Sequence, residues 1–571
     1  MSAQPVNTRR EFVIRMGSIA AVAATGSVLS GCGGGSDGPS FNYGVASGDP
    51  LSDRVILWTH AKNPNSNSNV DLTYEVATDS AFTNVVSSGQ TLASATTGFT
   101  AKADATGLVP GQQYFYRFRS GLTNSPVGRT RTLPASGAAS LKFAVMSCSN
   151  YPAGFFNVYA EVAKSDCDYA LHLGDYIYEY AADGYASSLA ASLGRVSVPS
   201  VELTTLDHYR MRHAQYKSDV DAKALHAAMP MIAVWDDHEI ANDAYKDGAE
   251  NHQDNEGDWE SRKAAALQAY HEWMPIRTGS DREVIYRSFD FGGLVALHML
   301  DTRLVGRDEQ IDLLDLAGLN GQQAQGLAVA EYSSTTRQLL GATQLQWLQG
   351  QMAQSSAPWQ VLGQQVLMGR MEFPVTVLTA LNPANTSPEA IAAGQKAVND
   401  YLVAQATPEE LRTPEQQALM DESLNPKLGY NLDAWDGYVA ARENLLGSAA
   451  SLGKRVVNLA GDTHNAWHSN LTLKFGVPGL LPAGTKVGEE FATSSVSSPG
   501  LEDYLSALPP EQIEQIFTSV VDDLNYLNAS GRGYLKMTFT ASEAKGEWFF
   551  VDTIASRSYS VTKGHEAVFA A

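Results

Sequence analysis

Cysteine is nearly missing: the 571-residue chain has three, Cys32, Cys148 and Cys167. So few exclude a disulfide-dense scaffold and leave stability to a packed core. Cations are also short. Lys and Arg number 40 against 62 Asp and Glu, a formal net charge of −22. That excludes the basic footprint of a nucleic-acid-binding protein. The same deficit repels anionic substrates, so a site that handles phosphate must bring in local positive charge, and bound cations would do it. There is no Walker-type phosphate loop and no internal repeat. The apolar, Ala- and Gly-rich stretch Val13–Leu29 is broken by Arg15 and is too short and too weakly apolar for a stable membrane span.

That stretch reads as part of an address. Thr8-Arg9-Arg10-Glu11-Phe12 is a twin-arginine pattern. Leu29-Ser30-Gly31-Cys32, followed by Gly33-Gly34-Gly35-Ser36, resembles a bacterial lipoprotein box with Cys32 as the lipidated first residue. An ordinary signal peptide cut nearby is the competing reading. The expectation is export by the twin-arginine route to the periplasm or outer surface, with Cys32 as the membrane anchor, and a monomer. Cys148 and Cys167 then remain, either as thiols or, in an oxidising compartment, as a disulfide pair.

The length exceeds the roughly 250–300 residues that one core serves, so more than one domain is expected. Residues 1–40 are the signal and tether. Residues 41–135 alternate apolar and polar positions between turn signals and predict an antiparallel β-sandwich. Within them, Gly107–Tyr116 resembles the tyrosine corner of fibronectin-type sandwiches. An α/β region fills 140–571, with an Ala/Gln/Glu-rich, mostly helical insertion at 371–426 that carries no obvious chemistry. Two closing strands are predicted within Gly533–Thr553.

Four apolar runs in the α/β region each stop at a metal-ligating residue type. LKFAVMSCS ends at Cys148; YALHLGDYIYEY delivers Asp175 and Tyr178; MIAVWDDHE delivers Asp236, Asp237 and His238; RVVNLAGDTH delivers Asp462 and His464. Short runs bounded by glycine or aspartate predict buried strands, and ligands bind beyond the carboxyl ends of such strands. A carboxylate with about four lone-pair sites lets Asp175 bridge two cations. Cys148, Tyr178 and His464 would complete a site for a hard ion such as ferric iron, their anionic donors offsetting its charge. Asp237, Asp462 and Asn242 offer oxygens suited to calcium or magnesium. Two such cations clamp the attacking and leaving oxygens of an in-line displacement at phosphorus. His238 is placed to protonate the leaving oxygen. Arg210 or Arg303 is placed to neutralise a phosphoryl oxygen. Each residue has a plainer reading: a buried thiol for Cys148, a core phenol for Tyr178, a helix cap for Asp236 and Asp237. For Arg210, Arg212 and His213 it is solvent-facing charge on a helix.

Together SCS, GDYIYEY, WDDHE, LDTR, WDGY and GDTH resemble the alkaline phosphatase D family, itself similar to purple acid phosphatases and calcineurin-like metallophosphoesterases. The resemblance covers nearly the whole mature chain. It implies an N-terminal β-sandwich and a four-layer α/β/β/α catalytic sandwich, with Fe3+ and Ca2+ cleaving phosphate mono- and diesters at alkaline pH. By position, it implies Cys148, Asp175, Tyr178 and His464 as iron ligands. The calcium ligands would be Asp175, Asp462 and an Asp or Asn within Asp236–Asn242. The competing functions are a phospholipid- or teichoic-acid-type diesterase and a non-enzymatic surface protein with a structural metal.

Overall fold

The apolar runs that end in Cys, Asp or His are strands. Each is too short for a stable helix and is buried on both faces, as strands of a covered parallel sheet are. The computed structural model describes residues 38–311, 326, 334–382 and 387–571; the twin-arginine pattern and Cys32 lie outside them. Leu141–Met146 (β1), Tyr169–His172 (β2) and Met231–Ala233 (β3) pair in parallel, with Leu171 in register with Val145 and Ile232. They lie within a nine-stranded sheet. Antiparallel Arg532–Phe539 and Glu543–Val551 extend it beyond β1, and a third strand, Val561–Ala570, joins them at the edge. That third strand is half polar, and its residues are exposed or only partly buried, which weakens its period in the sequence.

A second, seven-stranded sheet holds Val295–Met299 (β4), Trp359–Gly363 (β5), Arg455–Ala460 (β6) and Lys486–Ala492 (β7), all parallel. The sequence marks Glu489–Gly500, EEFATSSVSSPG, as a Ser/Thr-rich segment that either lines the site or is plain loop; it begins inside β7 and leaves the strand only at Thr493. Phe143, Leu171 and Ile232 of the first sheet and Leu297, Val361 and Phe491 of the second share one buried cluster. Burying each such side chain is worth about 1.5–3 kcal/mol, so the facing sheets, not local propensity, set this layering. On its other face the second sheet packs Val456 and Trp467 against Leu446 and Phe517 of the helices Val439–Ser451 and Pro510–Val520.

The strands expected in residues 41–135 form, but in two sheets of different standing. Val70–Ala77, Val85–Ala93, Gln113–Ser120, Thr123–Asn124 and Gly128–Arg131 make a sheet of their own. Val45–Gly48, Arg54–His60 and Thr100–Thr106 instead continue the nine-stranded sheet past β3. The join is a single parallel pair, Gly48 with Met231. A Cβ on Gly48 would stand 2.3 Å from the Pro275 carbonyl oxygen, so a side chain there would part the sheet. Leu57, Leu72, Val76, Tyr116 and Phe118 fill the space between the two N-terminal sheets. The Tyr114 hydroxyl accepts the Val109 N–H at 2.8 Å, the bond that its corner motif implies.

The insertion carries helices Val375–Ala380, Pro388–Ala406 and Pro414–Met420, and packs Val377, Val398 and Tyr401 onto the second sheet's outer cluster. Its base is a two-stranded pair, Glu372–Pro374 with Lys427–Gly429, too short to leave a periodic signal. Ser147, just past β1, bridges Ser495, just past β7. The carboxyl ends of the two sheets thus meet at one place.

Candidate metal centre

At that meeting point the chain turns left-handed at four non-glycine residues: Cys148 (φ 61°), Asp175 (53°), Asp462 (62°) and His464 (65°). Each such residue costs about 1–3 kcal/mol and persists only where its surroundings over-determine it. Four together aim side chains at a common point. Gly174 (φ 108°) lets the loops after β2 and β3 touch, since a Cβ there would lie 2.3 Å from the Asp236 Cβ. Glu239 ties the same loops together. Its carboxylate accepts backbone N–H groups of Asp175 (3.0 Å), Tyr176 (2.5 Å), Ile177 (3.3 Å) and Asp236 (2.7 Å). Arg212 holds the loop from below. Its guanidinium donates to the carbonyls of Tyr178, Tyr180 (3.0 Å), Val198 (3.0 Å) and Pro199 (3.1 Å). Arg212 and His213 are buried, which corrects the solvent-facing reading; their helix faces the core.

Potential ligand atoms gather in three groups, each within 4.8 Å: Cys148, Asp175 and His464; Asp175, Asp237 and His238; Asp236, Asp237 and Asp462. Asp175 is common to the first two and Asp237 to the last two. The Tyr178 hydroxyl joins the first group, donating to Asp175 Oδ2 at 3.0 Å and standing 3.2 Å from His464 Nε2 and 2.6 Å from Ser498 Oγ. His464 Nδ1 donates to the Pro499 carbonyl at 2.6 Å, which leaves the Nε2 lone pair facing the group. His238 Nδ1 donates to Glu179 Oε2 at 2.7 Å, leaving Nε2 for the cradle. Asn242 stands beside the site, its backbone N–H on Glu179 Oε1 at 2.9 Å and its amide nitrogen on Glu250 at 3.2 Å. Cys148 and Cys167 are free thiols, not a disulfide.

The two arginines do other work than expected. Arg303 is fully buried and its three nitrogens are engaged: Nε on Asp236 (2.5 Å), Nη1 on Asp433 (2.9 Å) and Nη2 on Asp462 (2.9 Å). It braces the cradle rather than facing a phosphoryl oxygen. Arg210 is not brought to the cradle at all. Its guanidinium is held by the Glu272 carboxylate at 2.7 Å and the Thr96 carbonyl at 2.8 Å.

The residues present fit metal ions. Asp175 Oδ1, Asp236 Oδ2 and Asp237 Oδ1 are buried and have no hydrogen-bond partner. Native proteins rarely leave such atoms unmatched, because each costs about 1–3 kcal/mol or more. Burial, then the charge of Asp175, pushes the Cys148 thiol far up. Burial likewise raises the carboxyls of Asp236 and Asp462 despite Arg303. Asp237 goes the other way: burial opposes its ionisation, but Arg303, His238 and the Asp243 N–H outweigh it. Burial also opposes charge on His238, and Asp237, Glu179 and Asp175 outweigh it, so the imidazole is held protonated. A cradle of buried thiol, phenol, carboxyl and imidazole groups, most of them held back from ionising by burial, is one whose anionic forms a hard cation would stabilise.

Residues 143–548 match the family model of the PhoD-like phosphatases, and residues 30–134 match the model of their N-terminal domain. The chain belongs to the PhoD-like phosphatase family. It is 35% identical over 524 residues to alkaline phosphatase D of Bacillus subtilis strain 168, covering 89% of this chain and 77% of that protein. A solved structure of PhoD superposes with a TM-score of 0.73 and 31% identity, over 94% of this chain and 92% of that one. The resemblance carried by the motifs is borne out, and as a PhoD-like phosphatase the chain is an α/β phosphoric ester hydrolase. In this phosphatase the Ser/Thr-rich segment Glu489–Gly500 does line the site, through Ser498 and the Pro499 carbonyl. Other groups at the site escape sequence reasoning: Glu179, Glu239, Asp433 and Tyr185. Glu179 and Glu239 each sit next to a recognised site residue, Tyr178 and His238, and that adjacency is the one signal that could have found them.

Proposed function

We propose an exported alkaline phosphatase/phosphodiesterase that hydrolyses phosphate mono- and diesters by in-line displacement at phosphorus. The observation that supports it most is the sharing of Asp175 between two ligand groups, one ending in Cys148 and His464, the other in Asp237 and His238. Cys148, Asp175, Tyr178 and His464 would hold Fe3+; Asp175, Asp237 and Asp462 would hold Ca2+, with Asp236 turned toward Arg303. When bound, the cations supply the positive charge that ionises water and offsets the phosphoryl oxygens. The chain does the rest. Arg303 keeps Asp236, Asp433 and Asp462 apart in fixed places. Glu239 and Arg212 fix the loop that carries Asp175 and Tyr178. His238 holds a proton on Nε2, with Nδ1 locked by Glu179, and delivers it to the departing alcohol oxygen.

The Arg9-Arg10 pattern supports export by the twin-arginine route, and Cys32 a lipid anchor at the periplasmic or outer surface. The layering described above is in keeping with a four-layer α/β/β/α sandwich behind an N-terminal β-sandwich, and the chain acts as a monomer. The test is chelation followed by metal restoration. Hydrolysis of p-nitrophenyl phosphate and of bis(p-nitrophenyl) phosphate should vanish on chelation and return only when iron and calcium are restored. Full activity in the chelated protein contradicts the reading.

A further inference from the structure

Two kinds of side chain border the cradle. Asp433 and Asp462 are carboxylates whose side chains are 14% and 16% exposed. Beside Tyr178 and His238 stand rings. Tyr185 lies 6.1 Å from Tyr178 with planes 28° apart, and 5.8 Å from Tyr180. Tyr180 in turn lies 5.3 Å from His238. Burial raises the pKa of the Tyr185 hydroxyl, and Tyr504 is close enough to add to the rise; Tyr504 is 49% exposed.

This wall is prebuilt. The Tyr185 hydroxyl donates to the Pro499 carbonyl at 3.2 Å and stands 3.3 Å from His464 Nδ1, so its ring is fixed relative to a ligand. The chain between Tyr180 and Tyr185 folds tightly: a Cβ on Gly184 would come within 2.8 Å of the Tyr180 Cβ. Arg212 holds the Tyr180 carbonyl at 3.0 Å. Tyr504 follows from the Ser498–Pro499 segment through a short turn whose Leu501 N–H is held by Asn465 Oδ1 at 3.1 Å. The rings of Tyr180 and Tyr185 pack on His238 and His464, but none of the three tyrosines is a metal ligand or a proton carrier in the reading above. Rigid aromatic surface beside a polar centre gives contact area at little entropic cost.

The ester's phosphoryl group goes to the cations, so its alcohol must lie along one of these borders. A second anionic or polyhydroxyl group would meet carboxylates at Asp433 and Asp462. We propose that Tyr180, Tyr185 and Tyr504 form the subsite for the alcohol portion of the ester, and that it selects alcohols with a flat aromatic body. The inference rests on the hydrolase reading of the cradle and adds the substrate class. His238, 5.3 Å from Tyr180 and 4.3 Å from Tyr178, borders the wall, so an alcohol seated there has its oxygen next to the proton donor.

The experiment uses Tyr504, which touches no ligand group described above. Purified Tyr504→Ala and Tyr504→Phe are compared with the wild type on 2-naphthyl phosphate and on glycerol 2-phosphate, with melting temperatures as a check on folding. Tyr504→Ala should raise KM for the naphthyl ester about 5-fold, the scale of one lost aromatic pair. It should leave kcat on both esters and KM for the glycerol ester within about 2-fold, and Tyr504→Phe should keep the wild-type KM for both. An unchanged naphthyl KM, or a parallel rise for both esters, overturns the subsite and leaves the hydrolase reading standing. A wild type that turns over neither of these esters nor bis(p-nitrophenyl) phosphate overturns both.

Discussion

Two buried clusters of ionisable groups lie side by side around the loop after β2, and they meet the cost of burial in different ways. The cradle begins at Asp175. Its neighbour Tyr176 belongs to a basic cluster, where the hydroxyl stands 2.9 Å from His226 Nε2, which is also 2.7 Å from Lys217 Nζ. Lys217 faces the rings of Trp58 and Tyr176 at 5.1 and 4.9 Å and has no carboxylate partner among the described residues. Burial drives Lys217 far below its ordinary value and pushes His172 and His213 down to about 3. These bases shed their protons and become ordinary hydrogen-bonding groups in a sealed core. The cradle takes that exit only in part. Burial raises Cys148, Asp236 and Asp462 toward their neutral forms, but Arg303 and His238 keep Asp237 ionised, three carboxylate oxygens have no hydrogen-bond partner, and Asp433 and Asp462 keep some exposure. One cluster discharges completely; the other is left with charge and open lone pairs that cations would match. Buried ionisable groups mark a functional site where discharge is incomplete and solvent can reach them.

The largest effect that sharpens this contrast is at the shared ligand. Asp175→Ala should lower kcat by more than about 10^3-fold, beyond the roughly 10–100-fold that outer partners of a metal site cost; p-nitrophenyl phosphate turnover measures it. Next is the brace. Arg303→Met leaves buried carboxylates without their counter-charge and should destabilise the metal-free protein by about 3–5 kcal/mol. Denaturant unfolding reads it, and added metal should recover part of the loss. Glu179→Gln removes the anion that fixes His238 and should cost about 10–100-fold in activity, with the alkaline limb of the pH–rate profile moved to lower pH, since the imidazole loses a stabilising charge.

The smallest effect belongs to the basic cluster. Lys217→Met replaces a neutral, sealed amine with an apolar chain of similar length, so activity should stay within about 2-fold and stability within about 1.5 kcal/mol. The pH dependence gives the sign. Lys217 has a folded pKa below its unfolded value of about 10.4. Between those two values the unfolded chain binds the extra proton, so this group destabilises at neutral pH and stability rises as pH climbs toward the unfolded value. Unfolding free energies from pH 7 to 10 should rise in the wild type, and that rise should be smaller in Lys217→Met.

Much of this site was legible because its ligands sit at strand ends, where a short apolar run followed by Asp, Cys or His is a local pattern. Cys148, Asp175, Tyr178, Asp236, Asp237, His238, Asp462 and His464 all come together as those ends meet. What stayed hidden depends on long-range placement. Nothing in a one-dimensional pattern separates Arg210, bound to Glu272, from Arg303, buried among carboxylates, or shows Arg212 under the ligand loop. Asp433 is close to the site only because of how the second sheet packs, whereas Ser498 falls in the Ser/Thr-rich segment that composition marks as a site lining. In the fold, alternation found the N-terminal strands but not that three of them continue the catalytic sheet, since the join rests on one residue pair at Gly48.

Elemental analysis of the purified wild type beside Asp175→Asn tests the account most directly. The wild type should carry tightly bound metal and the variant should lose most of it, at unchanged fold. Equal metal content in the two proteins, or none in either after loading, would contradict it.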